Sequence, residues 1–200
     1  MLAEVEEDRV WKETSAEDLW VMDKLIVARM MGYTSGPAGM DVPTPGWYCV
    51  RPCVNMMGLG LGAAKHWLEL ETMHLPLGSF WCSWFEGRHL SVDYHNNLQV
   101  LCVEGYKNDD TLIKWDVWKR IVHTVALPTI LNNILQRHTW VNCEFIGGHL
   151  IEVHLRRNED FDGDIEEYRP VWKGESTIPP PGYTYRPDAD IHQRIGAFVR

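Results

Sequence analysis

The stretch NCEFIGGHLIEVHLRRN, Asn142 to Asn158, decides how the rest of the chain is read. Taken alternately, Cys143, Phe145, Ile151, Val153 and Leu155 are apolar, whereas Asn142, Glu144, Glu152, His154 and Arg156 are polar. Period-two alternation marks strands with one buried face, and Gly147-Gly148 is a turn signal between two of them. The spacing predicts a hairpin with two carboxylates, an imidazole and a guanidinium on one face. Register fixes the detail. With Gly147-Gly148 alone as the loop, Glu144 would face Ile151 and the apolar residues would split between faces. A loop Gly147-Gly148-His149 sets Glu144 against Glu152 and keeps the apolar set together, so burial selects the odd loop. Directly opposed carboxylates, with Cβ atoms about 5 Å apart, repel. Arg156 can compensate, or a divalent cation can. Mg²⁺ takes one or two carboxylates together with substrate phosphates. The alternative is a solvated face on which Arg156 and Arg157 neutralise the glutamates.

Around this hairpin the chain has 200 residues, enough for one globular domain or two small lobes. Acidic residues outnumber basic ones 28 to 19, which argues against a general nucleic-acid binder. MLAEVEEDRV lacks the apolar core of a signal peptide, and no apolar run approaches the ~20 residues of a membrane span. Five cysteines, none arranged as CxxC, read as buried thiols in a reducing compartment rather than as a zinc site. The expectation is a cytoplasmic protein. Its ten tryptophans read as packing in the core and between lobes.

Local signals give an α+β chain. Ser15 and Asp18 read as a capping box opening a helix, with Leu19, Met22, Ile26 and Met30 on its apolar face. GYTSGPAGMDVPTPG is a loop, and WYCVRP a strand. NMMGLGLGAA is a glycine loop leading into a short helix, AAKHWLELE. FWCSWFEG and RHLSVDYHNNLQVLCVEGY are strand-rich, the second folding back at Asn96-Asn97. Pro128 opens a helix, PTILNNILQRH, and IPPPGYTYRPDAD is extended. Gly58, Gly60 and Gly62 can bring backbone N–H groups to phosphates, although a flexible linker reads the same way. Arg51, just before that loop, can reach a phosphate or be a surface arginine. His89, Ser91, Asp93 and His95 form another polar row. No Ser or Cys stands in a nucleophile motif with a base.

In chain order these pieces resemble the ATP-grasp superfamily of nucleotide-dependent ligases, over most of Met22 to Asn158. MDKLIVARMMGYTSGP is similar to the family's DK-containing helix, WYCVRP to its VVKP strand, and NMMGLGLGAAK to the loop over the nucleotide phosphates. SWFEG resembles the hinge that reads adenine, RHLSVDY a ribose-contacting strand, and CEFIGGHLIEVHLR the closing Glu…EVNxR pattern. The resemblance implies a two-lobed fold of mainly antiparallel sheets with flanking helices. The smaller lobe falls at about 46–86, the larger at about 87–175, and a Pro-rich segment at 176–200.

The implied roles follow residue by residue. Arg51, Gly58, Gly60, Gly62 and Lys65 hold ATP phosphates, Trp84 and Phe85 the base, and His89 the ribose. Glu144, Glu152 and His154 hold Mg²⁺, or Mn²⁺, because His154 stands where Asn is usual. Arg156 stabilises the transferred group, and His154 doubles as an acid or base. The implied activity is ATP-dependent ligation: a small-molecule or peptide carboxylate is activated as an acyl phosphate for attack by an amine or other nucleophile. A non-catalytic nucleotide-binding or viral assembly protein is the alternative, since compact proteins of this type occur in tailed bacteriophages. Residues 1–45 are too few for the family's N-terminal domain, so self-association or a partner protein is expected to replace it.

Overall fold

The computed structural model describes residues 6–54, 60–108, 112, 114–191 and 193–200. Two antiparallel sheets carry the chain. The smaller contains β1 (Ser35–Pro37), β2 (Gly46–Pro52), β3 (Ala64–Leu68) and β4 (Ser79–Ser83), in the order β1-β4-β2-β3. The larger contains β5 (His89–His95), β6 (Leu98–Tyr106), β7 (Val117–Arg120), β8 (Trp140–Ile146), β9 (His149–His154), β10 (Glu167–Trp172), β11 (Thr184–Ile191) and β12 (Arg194–Val199). Its order is β11-β12-β10-β7-β6-β5-β8-β9. Three helices are short: α1 (Glu6–Glu13), α2 (Lys24–Met30) and α3 (Ile134–Arg137). Among the described residues no helix is long and apolar enough to cross a membrane.

Strand alternation divides each sheet between two apolar clusters, one on either face. Leu90, Val92 and Tyr94 of β5 join Val141, Cys143 and Phe145 of β8 in a core closed by Val27, Leu131 and Ile134 from the helical segments. Tyr48 and Val50 of β2 pack with Leu68, Leu75 and Trp81 in the smaller lobe. Helix α2 bridges the lobes. Val27 enters the large core, whereas Ala28 packs on Phe80 and Cys82 of β4.

Several local expectations are overturned. AAKHWLELE is not a helix: Ala64–Leu68 form β3, paired with β2 from Gly46↔Leu68 to Val50↔Ala64. The capping box does not open a helix either. The Asp18 carboxylate is bound by Arg137 and His138, Leu19–Met22 is a single 3₁₀ turn, and α2 starts anew at Asp23, whose side chain caps Leu25 and Ile26. That restart shifts the helix phase, so Lys24, Val27 and Ala28 are buried while Ile26 and Met30 are exposed. The helix expected after Pro128 shrinks to a 3₁₀ turn and one turn of α3. The Pro-rich stretch runs into β11, which pairs with β12 at the edge of the large sheet. Trp47 and Trp67 are half exposed rather than core.

Candidate functional site

The hairpin of β8 and β9 sets Glu144 opposite Glu152, by a route other than the odd loop. Gly147 and Gly148 alone form the turn, at φ +56° and +83°, and Ile146 pairs with His149. The shift comes from a bulge: Phe145 faces Leu150, leaving Ile151 unpaired before Glu152 meets Glu144. The bulge turns the Ile151 carbonyl toward the smaller lobe, where the Arg51 guanidinium donates to it at 2.7 Å. Arg51 is therefore a strut between lobes, buried over Phe80.

Basic side chains of the chain itself stand against the two glutamates. Lys24, 5% exposed at the start of α2, places its ammonium 2.9 Å from Glu152. His89 lies 3.1 Å from Glu144 through Nε2, and His154 3.6 Å from Glu152. Burial pushes the Glu144 carboxyl up, but the hydrogen bond and charge of His89, with His154 and Lys24 behind it, pull it down to about 2. His89 is fixed further by Trp115 and Trp118, which meet it edge-on at 4.6 and 5.3 Å. Gly105 makes room for these rings, since a Cβ there would lie 2.7 Å from Trp115. Arg156 lies beyond the end of β9, in a bend, and donates to the Arg157 carbonyl.

Next to this row, Asp93 is buried and accepts from Asn142 Nδ2 at 2.8 Å and from the Asn158 backbone N–H. Ser91 accepts from Asn142 and Asn158 in turn. Burial raises the Asp93 carboxyl, while these donors pull it back. Lys24 and this network are the residues that sequence reasoning missed. The DK dipeptide and the row His89-Ser91-Asp93 were the available signals, and neither names its partners.

Other expected residues fall at the mouth between the lobes. Lys65 sits over the rings of Trp84 (4.5 Å) and Trp47 (5.3 Å) and pairs with Glu86 at 3.8 Å. Phe85 stacks on His149 at the hairpin tip, with ring centroids 4.1 Å apart and planes 7° apart. A Cβ on Gly147 would lie 2.1 Å from the Glu86 carbonyl oxygen, so only glycine lets the tip press against the hinge. Gly60 and Gly62 adopt positive φ, and a Cβ on Gly60 would stand 2.9 Å from the Leu112 carbonyl oxygen. Gly58 lies outside the described residues.

A magnesium ion does not fit this donor set as it stands. Glu152 already holds the Lys24 ammonium, Glu144 lies within hydrogen-bond distance of His89, and among the described residues no three His, Cys, Asp or Glu side chains gather as a metal site. A metal on Glu152 would leave the buried Lys24 ammonium unpaired, at a cost of about 3–5 kcal/mol. The residues expected to hold a metal, Glu144, Glu152 and His154, stand instead against Lys24 and His89.

No family model matches the chain, and no curated protein matches it by sequence. Solved structures do match. Carboxyaminoimidazole ribonucleotide synthase from Aspergillus clavatus, complexed with ATP, superposes with a TM-score of 0.51 at 9% identity, over 90% of this chain and 68% of that one. A protein described as of the ATP-grasp superfamily, from Archaeoglobus fulgidus, gives 0.49 at 10%, over 90% and 63%. D-alanine–D-alanine ligase from Bacillus anthracis gives 0.41 at 13%, over 68% and 57%. The chain spans less than two thirds of the length of the latter two. At these identities the likeness is one of fold.

Proposed function

We propose, from the premise of an ATP-grasp fold, that this chain binds ATP between its lobes and uses it to activate a carboxylate for ligation. The observation that carries the reading is the convergence of Glu144, Glu152, His89, His154 and Lys24 on one sheet face, beside the smaller lobe. In the proposed reaction a substrate carboxylate oxygen attacks the γ-phosphorus and the bond to ADP breaks. An amine then attacks the acyl carbon, and phosphate leaves. Phosphoryl transfer calls mainly for positioning and charge stabilisation. Lys24 is the cation at the centre of the row, Lys65 with Trp84 lies at the mouth, and Arg156 approaches from the end of β9. The carboxylate and the amine belong to the class of small molecules or peptides. No step is routed through a metal.

A second reading, a nucleotide-binding or assembly protein without catalysis, is favoured by one specific fact. Arg51 and Lys24, the cations nearest the row, are already committed to Ile151 and Glu152. Calorimetry with ATP, with and without Mg²⁺, tests both readings together with ADP release in the presence of pooled amino acids. Saturable binding with turnover supports the ligase, and saturable binding alone supports the second reading. No saturable binding overturns the ligase and leaves the assembly role.

A further inference from the structure

Cys49 of β2 and Cys82 of β4 stand directly opposite each other in antiparallel register. Both pack with Ala28 and Phe80, and Tyr33 and Leu25 close over them. A directly opposed antiparallel pair has Cα atoms about 4.5–5.5 Å apart, within the roughly 4.4–6.8 Å that a disulfide spans. Opposed residues of an antiparallel pair project from the same face of the sheet, which brings the two side chains together. We propose that Cys49 and Cys82 are a peroxide-responsive pair that closes a cross-strand disulfide within the smaller sheet.

The two thiols are unequal, and that assigns their roles. The hydrogen bond from Cys82 lowers the Cys49 thiol against the opposing effect of burial, and the Arg51 charge lowers it further, to about 7. Cys82 is pushed well up by the same hydrogen bond and by burial. Cys49, half-buried, is the attacking thiolate. Its sulfur takes the distal oxygen of hydrogen peroxide, the O–O bond breaks, and the hydroxide released gains a proton to leave as water. The Cys82 sulfur then attacks the sulfenic sulfur, losing its proton as the S–O bond breaks and a second water leaves. Two thiols and one peroxide give one disulfide and two waters.

The other thiols do not compete. Cys53 lies four residues along the same strand direction, roughly 13 Å from Cys49, and burial raises its thiol. Cys102 and Cys143 face Val92 from opposite sides, on the two strands that flank β5, and burial raises both. The consequence of closure reaches the contact between the lobes, because Arg51 follows Cys49 by two residues on the same face of β2 and donates to the Ile151 carbonyl.

The test uses the full chain, reduced and then treated with stoichiometric hydrogen peroxide. Peptide mapping without reductant should find the Cys49 and Cys82 peptides joined with loss of two hydrogens, reversed by dithiothreitol. Before oxidation, iodoacetamide at neutral pH should modify Cys49 roughly tenfold faster than the other four thiols. Closure should raise the melting temperature by roughly 5–10 °C. Cys53→Ser should leave the cross-link intact, and Cys82→Ser should arrest Cys49 as a sulfenic acid that dimedone captures. Oxidation of Cys49 to sulfinic acid with Cys82 still free, or a cross-link through Cys53 or between chains, overturns the proposal. The map of the wild-type chain decides the matter even if Cys82→Ser fails to fold.

Discussion

Lys24 shows how much one side chain decides. Its ammonium is buried and pairs with the Glu152 carboxylate. Removing either partner strands the other, which costs about 3–5 kcal/mol. We expect Lys24→Met and Glu152→Gln each to lower urea stability by that order, and the double substitution to recover much of the loss. Simple additivity in that cycle would show that the two do not interact. The pH dependence follows from Glu144. Its folded-state carboxyl titrates near 2, below the usual value of 4.5, so it contributes stability above pH 4.5 that is lost as pH falls toward 2. The urea midpoint should therefore decline across that window, and Glu144→Gln should flatten the decline. The sequence displayed both glutamates on one face, and the DK dipeptide was present, but nothing in it paired Lys24 with Glu152. Lys24 lies more than a hundred residues upstream, and only the bridging position of α2 brings it there.

At the scale of elements, the hairpin was legible and its mechanics were not. Burial correctly set Glu144 against Glu152, yet a bulge at Ile151 performs the shift that a longer turn was expected to make. Sequence alternation records which residues share a face. It does not record where the extra residue is spent. Strand β3 was hidden for a different reason: AAKHWLELE carries good helix formers, and pairing with β2 overrides them. The turn offers a clean contrast. Gly147 and Gly148 both have positive φ, but a Cβ meets the Glu86 carbonyl at Gly147 and open space at Gly148. Gly147→Ala should cost roughly 2–4 kcal/mol and Gly148→Ala about 1 kcal/mol in thermal unfolding. Equal costs would show that the tip is not pressed against the hinge.

Across the whole molecule, the two sheets meet at a few named points. Arg51 on Ile151, Phe85 on His149 and Gly147 under Glu86 all join the smaller lobe or hinge to the one hairpin. Arg51→Met removes the strut without touching the tip. Hydrogen exchange should then rise at 149–152 and at 85–87 while the cores of both sheets stay protected. Unchanged exchange there would mean that Arg51 carries no load between lobes. The seating of Gly147 against the hinge makes that spot a natural pivot. Ile151 lies three residues beyond Gly148, a lever of about 10 Å at strand spacing. Tilting one sheet by only ~10° about the pivot would shift the Arg51 contact by nearly 2 Å, enough to sever a hydrogen bond. Small rotations near the tip are thus amplified at the far contact, and a slight nod of the hairpin is enough to uncouple one sheet from the other.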